Sequence, residues 1–239
     1  MVLNQKKENI SFWDGTLSLS EFYVGASAFA EKWRLLHHAV PPWSWIPCSR
    51  VPWPSTREVD GYLSLEKFNI FRSSEYVLHL EQDDQEEGPN EIEEASCSGK
   101  GKPFDNAVVV QRCSPEVYYS DLHIVYSASY KVPVLYFRVY SSDGQTIELN
   151  NIEKFLPVSS AKVLRESKWT FITQEEHPYL RRPWYTLHPC GTGEWMKLLL
   201  LADAALAANG FTSEQYIVSW MSVVGQVVGI QIPHQLLNG

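Results

Sequence analysis

The residues best placed to do chemistry lie between His177 and Trp195, and their centre is Cys190. His188-Pro189 precedes the cysteine, Gly191-Thr192-Gly193-Glu194 follows it, and an apolar run from Trp195 to Ala208 comes next. The pattern puts a thiol at the mouth of a helix. Thr192 is a good N-cap type, Glu194 supplies an acid to the first turn, and the two glycines allow a sharp bend before the helix begins. Free backbone N–H groups and the positive end of a helix dipole stabilise a charged sulfur at such a place. A thiolate is the form that attacks an electrophilic carbon. In an extended segment His188 and Cys190 share one face, so the imidazole can steady the sulfur or order the approach to it. Many lone cysteines are small buried hydrophobes. Punctuation by Pro, Gly, Thr and Gly builds an exposed turn instead and favours the reactive reading.

Other chemistries fit less well. No arginine closes a phosphate loop after Cys190, which argues against a phosphatase. His177, His188 and Cys190 are ligand types without a standard metal spacing. A cysteine hydrolase would need a base and an oxyanion site that the sequence does not locate.

The chain has 239 residues, 44% of them hydrophobic, with 9 Trp, 12 Tyr and 10 Phe, enough for a sizeable core. No linker divides it, and the expectation is one domain over residues 1–239. Its net charge of -8 has a local origin: Glu81, Asp83, Asp84, Glu86, Glu87, Glu91, Glu93 and Glu94 are 8 of the 28 acids, with no Lys or Arg among them. Without that run the acids and the 20 bases cancel. A near-neutral remainder gives no support to nucleic-acid binding by a basic surface. Cysteines at 48, 97, 113 and 190 form no C-x-x-C pair, and the first residues hold no apolar signal core. The expected location is the cytoplasm, with the thiols reduced. Met196 to Ala208 and Tyr216 to Ile232 are apolar but short, and are expected to be buried helices rather than membrane insertions.

The elements that must hold the thiol follow from periodicity. Phe22, Ala26, Phe29, Trp33 and Leu36 fall on one face of a helix capped by Ser18 or Ser20 and running to about His38. Five prolines between Pro41 and Pro54 predict a loop laid over the core, kept ordered by Trp43, Trp45 and Trp53. Gly61 to Phe68 has strand alternation, with Tyr76 to Leu80 as a continuation. The region from about 81 to 103 is nearly devoid of apolar residues and is expected to be a flexible acidic loop. Ala107 to Gln111, Val117 to Tyr130, Val132 to Ser141 and Gln145 to Leu149 are expected strands, with Ser141 to Gly144 as a turn. Asn151 to Phe155 is a short helix or turn, and Trp169 to Thr173 a further apolar piece. Asn209-Gly210 ends the cysteine helix, and Thr212 or Ser213 caps a core helix beginning near Tyr216. His79 and His123 are expected to be strand residues with an ordinary hydrogen bond rather than metal ligands. The sum is an α+β class: helix, antiparallel sheet, cysteine loop, two helices.

Four ordered blocks then match a known family. Tyr126 to Arg138, Thr173-Gln174-Glu175-Glu176-His177-Pro178, Leu187-His188-Pro189-Cys190-Gly191-Thr192, and Ser219-Trp220 through Val228-Gly229 closely resemble the ubiquitin-conjugating-enzyme-like family of the autophagy conjugation pathway. The resemblance covers roughly Gly61 to Pro233 and is interrupted by the acidic insert. It implies a ubiquitin-conjugating-enzyme-like antiparallel sheet flanked by helices, and a thioester relay with no cofactor and no metal. It implies that Cys190 is the thioester nucleophile and His188 a motif neighbour without an assigned role. The partners it implies are an activating enzyme (autophagy-related protein seven), a ubiquitin-like modifier (protein twelve) and a target lysine on protein five.

One departure stands out. Ubiquitin-conjugating enzymes carry a His-Pro-Asn whose Asn assists aminolysis, and this chain has His177-Pro178-Tyr179. Asn150 and Asn151 are the candidates to replace that Asn, while His177 is expected to hold the loop entering the site. Three alternatives stay open: the sister enzyme of the lipid branch, which shares the His-Pro-Cys, a non-catalytic module of the same fold, and a hydrolase. In the module reading, an exposed Trp184-Tyr185 pair and the sheet edges would serve docking.

Overall fold

In the computed structural model, residues 13–36, 41–48, 59–70, 117–166, 172–202 and 210–237 are described. The acidic loop, Tyr76 to Leu80, Ala107 to Gln111 and Trp169 lie outside them. Six strands form one sheet: β1 (Ser44–Pro47), β2 (Gly61–Ile70), β3 (Tyr118–Ser127), β4 (Val132–Ser141), β5 (Ile172–Glu176) and β6 (Pro183–Leu187). Their spatial order is β1-β2-β3-β4-β6-β5, and every neighbouring pair is antiparallel. The helices are α1 (Leu19–Leu36), α2 (Leu149–Ile152) with a 3-10 turn behind it (Glu153–Phe155), α3 (Val158–Glu166), α4 (Thr192–Ala202), α5 (Ser213–Val227) and α6 (His234–Leu237). No helix among the described residues is long and apolar enough to cross a membrane. The α+β architecture with an antiparallel sheet flanked by helices is thus as the sequence predicts.

Alternation sorts the strand residues between two faces. Leu63 and Leu65 of β2, Leu122 and Ile124 of β3, and Leu135, Phe137 and Val139 of β4 join the helices in the main core. Each fully buried aliphatic or aromatic side chain contributes about 1.5–3 kcal/mol. Tyr62, Val125, Val134, Tyr136 and Trp184 form a second apolar cluster on the other face. A bulge keeps β2 in phase. The pairing shifts between Leu65 and Phe68, Lys67 takes φ 55°, and its N–H donates to Asp121 Oδ1 at 3.0 Å. The extra residue returns Phe68 and Ile70 to the helix side, where both pack on the main core.

Capping decides where the two long helices start. Ser18 N–H donates to Glu21 Oε2 at 2.7 Å and Glu21 N–H to Ser18 Oγ at 3.2 Å, the reciprocal capping box that the Ser-x-x-Glu spacing encodes. Thr212 and Gln215 make the same pair at the start of α5. α1 and α5 then lie side by side, joined by an ion pair between Lys32 and Glu214. Gly25 allows the approach, since a Cβ there would stand 2.3 Å from the Ser213 carbonyl oxygen.

Four expectations change. The proline-rich stretch contains a strand, β1, because an edge strand tolerates prolines whose missing N–H needs no ladder partner. Gln145 to Leu149 shrinks to one bridge, Thr146 with Tyr140, before α2 begins at Leu149. α3, unforeseen, starts directly after Pro157, a good entry to a helix. The cysteine helix begins at Thr192, one residue earlier than a Thr192 cap implies, because Trp195 N–H bonds to the Gly191 carbonyl.

Gly25→Ala tests the helix contact. The added methyl must push α1 off α5, and overpacking of this kind costs about 1–3 kcal/mol. Urea unfolding of the variant should show that loss in the midpoint with an unchanged slope.

Candidate active site

β6 delivers the chain to the site and α4 carries it away, with a tight turn between. Thr192 N–H donates to the Pro189 carbonyl at 3.1 Å, so Pro189 to Thr192 closes a four-residue turn with Cys190 second. Gly191, third, takes φ 80°. A positive φ at that place is what a type II turn demands, and a glycine meets it without strain. Cys190 therefore stands at the apex of an exposed turn on the threshold of α4, with Glu194 in the helix's first turn.

His188 is exposed beside it. Its Nδ1 accepts the Cys190 backbone N–H at 3.2 Å, so the imidazole clamps the cysteine's main chain rather than its sulfur. The ring meets Tyr130 edge-on, with 5.9 Å between centroids. Tyr130 belongs to the β3–β4 turn, which closes when Lys131 N–H bonds to the Ser127 carbonyl at 2.7 Å and Lys131 takes φ 55°. A groove of about 640 Å³ runs alongside, with His188, Pro189, Tyr130, Tyr136, Tyr179, Asp60 and Glu175 among its walls.

His177 stands elsewhere and does a structural job. It is fully buried, and its Nδ1 accepts the N–H groups of Tyr179 (3.3 Å) and Leu180 (3.2 Å). Its own N–H bonds to the Arg182 carbonyl, which shuts the β5–β6 loop. Nε2 faces His123 Nδ1 at 3.0 Å. With Nδ1 of His177 occupied as an acceptor, the neutral pair has one arrangement: His177 Nε2–H donates to His123 Nδ1, and His123 keeps its proton on Nε2. Tyr62 and Trp184 sandwich the His123 ring at 4.5 and 4.2 Å, and Tyr179 OH reaches across to Asp60 Oδ1 at 2.6 Å. Burial, then the proximity of the His177 imidazole and of Arg138, pushes the His123 imidazole down to about 3. His123 is thus a strand residue with a hydrogen bond, as expected, although its partner, His177, was not foreseen. A short-range pattern cannot report a contact across 54 positions.

Two other expectations fail on geometry. Asn151 accepts from Lys154 Nζ and shares a depression with Tyr118, at the far end of β3 from the Ser127–Val132 turn that carries Tyr130. A ten-residue strand spans about 30 Å, which takes Asn150 and Asn151 out of reach of Cys190. Trp184 and Tyr185 are 2% and 7% exposed, one in each apolar cluster, so the pair offers no docking surface. Both fell in a segment read as loop, whereas β6 runs through it. No group of three His, Cys, Asp or Glu side chains among the described residues is arranged to hold a metal ion.

Residues 25–235 match the family described as autophagocytosis associated protein, active-site domain. The chain is 47% identical over 225 residues to the ubiquitin-like-conjugating enzyme ATG10 of Arabidopsis thaliana, covering 94% of this chain and 96% of that one. It is 34% identical over 195 residues to the human protein of the same name, covering 80% of each. Among solved structures, one titled as the autophagic E2 Atg10 aligns over 90% of this chain and 98% of its own at 16% identity and a TM-score of 0.43.

The histidine pair makes stability depend on pH. His123 has a folded value below its ordinary 6.5, so the unfolded chain binds more protons between about 6.5 and about 3. The stabilisation is complete above 6.5 and is lost as pH falls toward 3, with a slope from this group of at most about 1.4 kcal/mol per pH unit. Urea midpoints between pH 7 and pH 4 should fall accordingly, and His123→Phe should be weaker at pH 7 but flatter across that range.

Proposed function

The chain belongs to the family of autophagocytosis-associated proteins that share this active-site domain, with curated relatives that are ubiquitin-like-conjugating enzymes, and from that premise we propose that Cys190 carries the modifier as a thioester. The observation that supports it most is the placement of an exposed thiol at the apex of a turn at the start of α4. In the first step the Cys190 thiolate attacks the carbonyl carbon of the thioester on the activating enzyme. A new C–S bond forms, and the activating enzyme's sulfur leaves. In the second, a neutral lysine amine attacks the carbonyl, the C–N bond forms, Cys190 sulfur leaves and the amine gives up a proton. Neither step needs a metal or cofactor, because a thioester is already an activated acyl group.

The partners fit the resemblance already described: autophagy-related protein seven as the donor, protein twelve as the modifier and protein five as the bearer of the lysine, in the cytoplasm. The whole chain, residues 1–239, acts as one domain. His188 is a positioning residue in this reading, holding the Cys190 N–H through Nδ1 while the Tyr130 ring limits its rotation. His177 plays no chemical part. Its two ring nitrogens are engaged in the fold.

Incubation with the activating enzyme, ATP and the modifier should yield a thiol-sensitive adduct on a non-reducing gel. Cys190→Ala should abolish it, Cys190→Ser should trap a thiol-resistant ester, and Cys48→Ser, Cys97→Ser and Cys113→Ser should leave charging intact. No adduct with a charged activating enzyme would move the reading to a non-catalytic module. His188→Asn keeps an acceptor two residues before Cys190 N–H and should retain most of the charging rate. His188→Ala should slow it roughly tenfold, the scale of a lost positioning contact of about 1.4 kcal/mol.

A further inference from the structure

The segment before α1 crosses the first turn of the cysteine helix. Gly15 is buried with φ 85°, and a Cβ there would fall 1.7 Å from the Gly193 carbonyl oxygen. From the other side, a Cβ on Gly193 would stand 3.3 Å from the Asp14 carbonyl oxygen. Two backbones thus touch three residues beyond Cys190, with no side chain between them.

This strap is tied at both ends to the parts that flank the thiol. Leu17 N–H donates to the Lys131 carbonyl at 2.8 Å, and the strap's Leu17 carbonyl accepts Tyr126 OH at 2.8 Å. Lys131 is the neighbour of Tyr130, whose ring meets His188. At the other end, Tyr216 of α5 donates its buried hydroxyl to the Gly15 carbonyl at 2.9 Å. Trp13 packs on Phe211 at 4.4 Å and donates its indole N–H to the Thr16 carbonyl at 2.8 Å, which closes the strap's own turn.

We propose that the crossing of Gly15 over Gly193 is a positioning device for Cys190, fixing the start of α4 against the β3–β4 turn so that the sulfur stands where an incoming thioester carbonyl can be reached. The inference rests on the thioester reading given above. Bonds from the β3–β4 turn and from α5 hold the strap against Gly193, one residue past the turn from Pro189 to Thr192. A side chain at either glycine must displace one backbone or the other. Rate depends steeply on such placement, with about 1 Å of error costing on the order of a hundredfold.

The test compares glycines with different surroundings. Gly144 also takes φ 85°, but a Cβ there meets nothing within 4 Å, so Gly144→Ala carries the backbone strain without the collision. Charging is measured as kcat and KM against the thioester-loaded activating enzyme. Alkylation of Cys190 by iodoacetamide is measured in a Cys48→Ser, Cys97→Ser, Cys113→Ser background. The expected order of kcat loss is Gly15→Ala about a hundredfold, Gly193→Ala several-fold and Gly144→Ala none, with KM within about twofold throughout. Tyr216→Phe, which removes one buried anchor oxygen, should also lower kcat several-fold, and the three strap variants should change the alkylation rate in the same order. If Gly15→Ala shows no cooperative melt, folded Gly193→Ala and Tyr216→Phe decide. Unchanged kcat in both, or a loss confined to KM, overturns the proposal. Should the wild type accept no modifier, the thioester reading fails, and the alkylation arm still judges the strap: equal rates in all variants reject it.

Discussion

The constraint on which the rest depends is that β3 and β4 are covered on both faces. They pair without interruption from Tyr118 with Ser141 to Ser127 with Val132. One face meets α1 and α5, as alternating strand residues require of a sheet that must bury a core. The other face is also apolar near its middle, through Tyr62, Val125, Val134, Tyr136 and Trp184. Those residues need a cover as well, and the β5–β6 loop supplies it. His177 closes that loop with its backbone and with Nδ1, then fills the remaining donor position by facing His123. A buried imidazole pair is tolerable here because it is neutral, singly arranged and satisfied.

The site inherits its geometry from that arrangement. β6 is held to β4 through Tyr136–Thr186 and Phe137–Tyr185, so the chain leaves the sheet at a set place and direction. Only four residues, His188 to Gly191, then separate Leu187 from the start of α4 at Thr192. Within that short span the chain must reverse, which a turn with a left-handed third residue accomplishes at Gly191. The second position of such a turn points outward, and Cys190 occupies it. In the proposed thioester reading the Cys190 sulfur has to be exposed to another protein, yet it also has to be held. The β3–β4 turn on one side and the strap before α1 on the other supply the holding through backbone groups and rings, leaving the sulfur open.

Much of this was legible along the chain. The capping boxes at Ser18 and Thr212, the four-three spacing of Phe22 to Trp33, and the alternation of β3 and β4 are local signals, and each produced the element it indicates. Pro-Cys-Gly-Thr-Gly marked an exposed turn before a helix, and such a turn is present. The misses share a cause. β1 is a strand only because Gly61 to Ser64 offers it a partner, and nothing local in Ser44 to Pro47 says so. Trp184 and Tyr185 appear as an exposed aromatic pair until β6 is placed between β4 and β5, where one ring goes to each face. Asn150 and Asn151 precede the site by some forty positions, a separation that carries no distance information. The β3 strand puts them at the opposite end of the sheet.

Sequence by itself determined the α+β class, because that rests on short-range chemistry: residue type, spacing, caps and alternation. Four blocks of resemblance pointed to the family, and the Pro-Cys-Gly-Thr-Gly turn singled out Cys190 as the candidate nucleophile. Tertiary structure alone decided which histidine serves the thiol and which serves the fold. His188 and His177 are both followed by proline and both near Cys190 in sequence. One is exposed on the cysteine's backbone and the other is sealed beneath a loop against His123. It also decided that Gly15 belongs to the site at all. A contact between residues 178 positions apart exists only once the helix and the sheet have packed, since close backbone approach is a property of where two chains cross and not of either one.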